Sequence, residues 1–401
     1  MKAGMSEATK QTDLQLASQQ LIGEVSHLLD VGNSAAGLEK LAAYFQSTSQ
    51  FDRLFEVRKM QSRLRLGVPV VYSSRPAHLD DETQRELEKD LAAAALDCGQ
   101  KLASLGDIAG AWNYLRAVDD TLAVRAALEG SPLDEEGTHA AIDICLNHQA
   151  HPELGMKLAV SKLGTCTSIT LFDSIHTMLA PEDLLAAAAV LVRHLYNEIS
   201  TVAAQRLSQP AGTALSVMIE KNKIAVSHSS PHADPSHLSS VLRIGRTQTD
   251  PAVLKQLLTL SEYAELLPES LQYPGDAPFR AMATQHHLWY SALLGKRWEE
   301  AEAEFCKNLD RYGDSPDRIV SLEYGVLLLW STARHSAAAH LATNKLALGD
   351  FEYGTANIAP HLIQMASHTT AVPIIADYYR LDGDVLGFAL ARLSHCSSSI
   401  R

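Results

Sequence analysis

Apolar side chains return every three or four positions through most of this chain. Near its start they fall at Leu14, Ala17, Leu21, Val25 and Leu28, and further on at Leu87, Leu91, Ala95, Cys98 and Leu102. At 3.6 residues per turn this spacing lines one side of an α-helix and turns the intervening polar residues toward water. The period-two alternation of a half-buried strand is nearly absent. Its best candidate, VPVVY from Val68 to Tyr72, follows Gly67 and runs into SSRP, so it reads as a connection. The pattern predicts an all-α protein.

Short polar side chains, prolines and glycines punctuate the helices: Gly32 before Asn33 and Ser34, Asp80-Asp81, Asp120-Thr121, Gly130-Ser131-Pro132, Pro181-Glu182-Asp183 and Asp250-Pro251. Asp, Asn, Ser and Thr accept hydrogen bonds from the first free amides of a helix. Proline suits its first position, and glycine suits the residue beyond its end. Helices joined by short turns follow. The run LLAAAAVLV, Leu184 to Val192, falls well short of the ~20 residues that cross a bilayer, so it is expected as a buried helix segment and no membrane span is predicted.

Three turns repeat one another. GDIAGAWNYL begins at Gly106, GDFEYGTANI at Gly349 and GDVLGFALAR at Gly383, the last two 34 residues apart. A fourth stretch, KRWEEAEAEF from Lys296, keeps the aromatic Trp298 and the small Ala301 but has lysine in place of glycine. These segments resemble tetratricopeptide-like helical repeats, over roughly Leu87 to Val118 and Phe279 to Leu393. The resemblance implies a right-handed stack of helical hairpins, an α-solenoid with a concave binding face, and implies no particular activity. The expected organisation is N-terminal hairpins over 1–75, a repeat-like hairpin over 76–130, an irregular helical segment over 131–266 and C-terminal repeats over 267–401. The Pro-rich LPESLQYPGDAP, Leu267 to Pro278, marks the last boundary.

With 46% hydrophobic residues in 401, the chain can bury one long core or two compact ones. Its 34 basic against 47 acidic residues, a formal charge of −13, work against binding phosphate backbones, and nucleic acid is not expected as a partner. Five scattered cysteines without a C-x-x-C pair predict reduced thiols, and the N-terminal MKAGMSEATKQTD lacks the apolar core of a secretory signal; together they predict a cytoplasmic protein.

Histidine is where the chain departs from an ordinary helical protein. Eight of the seventeen fall between His139 and His237, in the segment that breaks the repeat. In HSSPHADPSH, residues 228 to 237, His228, His232, Asp234 and His237 offer three imidazoles and a carboxylate, a ligand set suited to tetrahedral zinc or another divalent transition metal. The same residues also spell a helix start, with Asp234 as cap and Pro235 in the first position. His194 and Glu198, four apart, share a helix face and could complete a metal site or simply pair with each other. His151 precedes Pro152, which holds it out of helical geometry at a helix end, where it could face a shared cavity but is expected to be solvated. Cys166, in GTCTSIT before an expected helix at LFDSIHTML, is a candidate nucleophile or a buried thiol. His286 and His287, in HHLWY, are expected to pack with one ring inward and one in solvent. The phosphate-loop, dinucleotide-loop, zincin and nucleophile-elbow motifs are absent from the sequence.

Two functions remain from different classes. The expected one, because the candidate ligands gather in the segment that breaks the repeat, is a divalent-metal-binding helical-repeat enzyme, hydrolase- or lyase-like, acting on a small molecule. The other is a scaffold whose concave face binds a peptide or protein and whose histidines are caps and surface groups.

Overall fold

The computed structural model describes residues 19–70, 79–208, 210–220, 234–313, 315–345 and 362–398. Every regular element among them is helical. Contacts divide the chain into two compact units at Leu158 and Ala159, a boundary inside the predicted 131–266 segment.

The first unit contains α1 (19–30), α2 (Ser34–Ser47), α3 (Phe51–Arg65), α4 (Asp81–Ser104), α5 (Ile108–Leu115), α6 (Thr121–Glu129) and α7 (Glu135–Leu146), with α8 (Pro152–Lys162) crossing the boundary. Their starts are chemically alike. Asn33, Asp80, Asp107, Asp120 and Asp134 each accept a backbone N–H of the following turn, so the predicted punctuation at Asn33, Asp80 and Asp120 acts as side-chain caps. The apolar faces then close in layers: Leu38, Phe51, Leu54, Val57 and Cys98 form one cluster, and Ile108, Ala111, Leu115, Val124, Leu128, Ala141 and Ile144 another. Consecutive helices are the principal partners, α2 with α3, α3 with α4 and α4 with α5.

The second unit continues with α9 (Gly164–Ile175), α10 (Pro181–Leu207), α11 (Ala211–Glu220), α12 (Pro235–Ile244), α13 (Pro251–Glu265), α14 (Met282–Leu293), α15 (Trp298–Glu302), α16 (Asp317–Ser331), α17 (His335–Lys345), α18 (Leu362–Met365), α19 (Val372–Asp382) and α20 (Val385–Ser398). The run expected to be a buried helix segment lies in α10, where Ala187 to Val192 are buried. Among the described residues no helix is long and apolar enough to cross a membrane. The segment after α13 has only a short 3₁₀ turn, Glu269–Leu271, in agreement with its prolines.

Two of the three Gly-Asp turns lie among the described residues, and they are built alike. Gly106 and Gly383 adopt left-handed φ values of +84° and +78°, ending α4 and α19. The next residue turns back as a cap: Gly110 N–H donates to Asp107 Oδ1 at 2.8 Å, and Gly387 N–H to Asp384 Oδ1 at 2.9 Å. The third turn, at Gly349, lies outside the described residues.

The KRWEEAEAEF stretch differs from expectation. The left-handed glycine is Gly295, one residue before the lysine, and α15 widens after one turn into a π-helical turn, Ala303–Lys307. The widening accompanies a close approach by α16, since a Cβ on Gly325 would stand 2.6 Å from the Phe305 carbonyl oxygen.

Candidate functional site

The HSSPHADPSH segment is described from Asp234 onward; His228 and His232 lie outside the described residues. Asp234 is the N-cap of α12, accepting from the Ser236 N–H at 2.8 Å and the Ser236 hydroxyl at 2.7 Å, with Pro235 as the first helical residue. These two hydrogen bonds hold its carboxyl below the usual carboxylate range. One oxygen, Oδ1, therefore already serves α12. His237 follows half-buried in the first turn, and the apolar stripe Leu238, Val241 and Leu242 fixes that helix in the core.

His194 and Glu198 do share a face of α10, with Nε2 and Oε2 3.9 Å apart. The same Nε2 lies 3.0 Å from the Thr165 hydroxyl on α9. Both partners address one ring nitrogen, which is not the relay of a nucleophile, base and orienting acid, where the acid holds the opposite nitrogen. Cys166 is next to Thr165 but exposed, and the GTCTSIT stretch is itself the start of α9 instead of a turn before it. Gly164 takes a left-handed φ of +79° just after α8 ends, and α9 begins on it.

In the first unit His151 is buried, not solvated, and its Nε2 lies 2.8 Å from Glu129 at the end of α6. Its Nδ1 has no hydrogen-bonding partner among the described residues. His148 is exposed beside Trp112, with ring centroids 5.6 Å apart. Among the described residues no group of three or more His, Cys, Asp or Glu is placed to hold a metal ion.

A buried polar assembly lies elsewhere, and its centre is Arg246, in the 3₁₀ turn Gly245–Thr247 that follows α12. Its Nε donates to His286 Nε2 at 2.9 Å, and its Nη1 donates to the Tyr324 hydroxyl at 2.8 Å. The guanidinium carbon stands 3.9 Å above the Phe279 ring, which stacks on His286 with centroids 4.4 Å apart. Trp289 donates its indole N–H to the Arg246 carbonyl at 3.1 Å, and the Tyr290 hydroxyl donates to the Leu242 carbonyl. Among the described residues no carboxylate forms an ion pair with Arg246, so ring faces and neutral acceptors balance a buried cation.

These bonds settle a tautomer. His286 lies 2.7 Å through Nδ1 from the Met282 carbonyl, which only accepts, so Nδ1 carries the proton and Nε2 is free to accept from arginine. Burial, then the Arg246 charge, push its pKa well below the ordinary value. Burial likewise raises that of Tyr290. A guanidinium that only donates, meeting the lone pair of an imidazole whose one proton is held by a carbonyl, is a structural hydrogen bond and not a proton-transfer couple. The assembly instead ties the α12 turn to α14 and α16.

Of the two HHLWY rings, the inward one is present and the one expected in solvent is not. His286 is fully buried, whereas His287 is half-buried, 3.0 Å from Glu265 and 3.8 Å from Glu262. Arg246 was missed because its partners are 33 to 78 residues away; IGRTQTD contains no local signal for them.

Surface clefts open among the described residues. One of about 500 Å³ in the second unit is lined by Arg280, Gln285, Arg311, Tyr312 and Asp317. Its cations are already paired, Arg280 with Asp317 and Arg311 with Glu304 at 2.8 Å. One of about 580 Å³ in the first unit includes Arg58, Arg65, Asp90, Asp97 and Lys101, where Arg65 pairs with Asp90 at 2.7 Å and Lys101 with Asp97. Comparison with known proteins adds no relative: no family model, no curated protein and no solved structure matches this chain.

Proposed function

We propose that this protein is an interaction scaffold built from helical hairpins, an α-solenoid-like stack of the tetratricopeptide type that offers its concave face to a peptide or protein. The observation that carries the reading is the Gly-Asp turn constructed twice from the same parts: a left-handed glycine, an aspartate cap and a second glycine four residues after the first. Repeated local construction, with the most extensive helix packing between consecutive helices such as α2 with α3, α4 with α5 and α13 with α14, is how repeat proteins propagate a core. In this reading repeat-like hairpins occupy 76–130 and 267–401, and the 131–266 segment supplies a differently shaped stretch between them.

The metal-enzyme reading asks His228, His232, Asp234 and His237 to converge, with His194, Glu198 or His151 completing the set. Asp234 weighs against it, because full use of its carboxylate as a ligand would compete with the start of α12. Elemental analysis separates the two readings. Untagged protein never exposed to chelator is expected to contain less than about 0.1 divalent metal ion per chain. A stoichiometric ion, lost on His232→Ala or His237→Ala, would replace the scaffold by a metal enzyme.

A further inference from the structure

His335 and His368, 33 residues apart in the chain, stack ring on ring with centroids 3.5 Å apart and planes 22° from parallel. Trp330 stands nearly perpendicular to both, its centroid 4.6 Å from that of His335 and 6.2 Å from that of His368. The three rings join the last turn of α16, the first residue of α17 and the turn between α18 and α19. His368 also organises that turn through its backbone, because its carbonyl accepts the N–H groups of Ala371 at 2.9 Å and Val372 at 3.2 Å. The same elements share one apolar cluster, with Ala338 and Ala339 from α17, Met365 from α18 and Ile375 from α19. Moving either ring therefore bears on how α17 meets the α18–α19 turn.

We propose that this imidazole pair is a pH-sensitive latch, closed when both rings are neutral and released by acid, which frees the α18–α19 turn from the start of α17. Two neutral imidazoles can lie face to face, whereas two imidazolium ions at this separation repel. A positive charge on His335 has a second opponent, since the residue opens α17, where the helix dipole already presents its positive end. Among the described residues neither ring pairs with a carboxylate that would offset the charge. On α16, Asp317 pairs with Arg280, and Arg318 and Glu323 lie at least seven residues before Trp330. The Arg334 guanidinium, in the turn before α17, lies 3.4 Å from the Trp298 ring centroid, and His340 is exposed further along α17. Asp377 and Arg380 of α19 pair with each other at 2.9 Å, and Asp384 caps α20. Burial, then the His368 charge, lower the pKa of His335. Opening therefore takes up a proton. The closed latch is held in full above about pH 6.5, the ordinary histidine value, and weakens as pH falls below it.

The latch holds whether or not the scaffold reading does. Hydrogen exchange of the full chain, corrected for intrinsic rates, reads it directly. Between about pH 7.5 and about pH 5.5, peptides covering the start of α17 and the α18–α19 turn are expected to lose about five-fold in protection, while α13 keeps its own. The double variant H335F/H368F keeps two flat rings in place and removes both titrations. It is expected to match the parent protein within about two-fold at the higher pH and to show no response to acid. H335F alone leaves one titrating ring and is expected to lose most of the response, which keeps the test open if the double variant does not fold. Unchanged protection of the parent protein at the lower pH, a loss shared equally by α13, or an acid response that survives these substitutions would overturn the proposal.

Discussion

Replacing Arg246 with alanine is expected to lower the unfolding free energy by about 4 kcal/mol. The substitution leaves the His286 Nε2 and Tyr324 hydroxyl without the donors that now satisfy them, and each stranded buried group costs roughly 1–3 kcal/mol. It also opens a cavity against Phe279, whose ring loses the guanidinium stacked on it. At about 2–4 °C per kcal/mol for a body of this size, the thermal midpoint should fall by roughly 10 °C. Arg246→Met refills the volume without the hydrogen bonds and is expected to recover between a quarter and a half of the loss. Urea titration followed by tryptophan fluorescence checks both, since Trp289 sits on the Arg246 carbonyl. A loss below about 1 kcal/mol would mean that the assembly does not hold the α12 turn to α14 and α16.

The second large effect comes from the repeated turn. Gly106→Ala is expected to cost about 3 kcal/mol and Gly383→Ala about 1, although the two glycines share a conformation. Both variants force an L side chain into left-handed backbone, a penalty of roughly 1–2 kcal/mol. Only at Gly106 would the new Cβ also meet backbone, 2.6 Å from the Pro132 carbonyl oxygen; at Gly383 nothing lies within 4 Å. Matched denaturation curves of the two variants measure the difference. Equal losses would show that the Pro132 segment yields freely and is not seated on the α4–α5 turn.

What could be read from the sequence was what is local. Period and punctuation placed the helices because a cap, a proline and a left-handed glycine act within four residues of themselves, as Asp80, Asp120 and Asp250 each show. The same locality produced the error at GTCTSIT. Gly164 reads as a stop, but nothing in the stretch reveals that α9 begins on that residue. Burial of His151 was hidden for another reason: its partner Glu129 is 22 residues away at the end of another helix. Arg246 was invisible on the same grounds, since an arginine surrounded by polar residues looks solvated until Phe279, His286 and Tyr324 arrive from three later segments. Histidine density drew attention to 228–237, where the ambiguity between ligand and cap was legible. For Asp234 the cap is the use the structure gives it.

Hydrogen exchange of Asp384→Ala tests the hairpin-stack account most directly. Removing this cap should cost about 1 kcal/mol, a factor of about five in protection. In a stack held by nearest neighbours, that five-fold loss is confined to α19 and α20 and the helices packed on them, α17 and α18, while α10 through α14 exchange as in the parent protein. An equal fall in protection across α10 to α20 would mean one cooperative body, and would contradict the account.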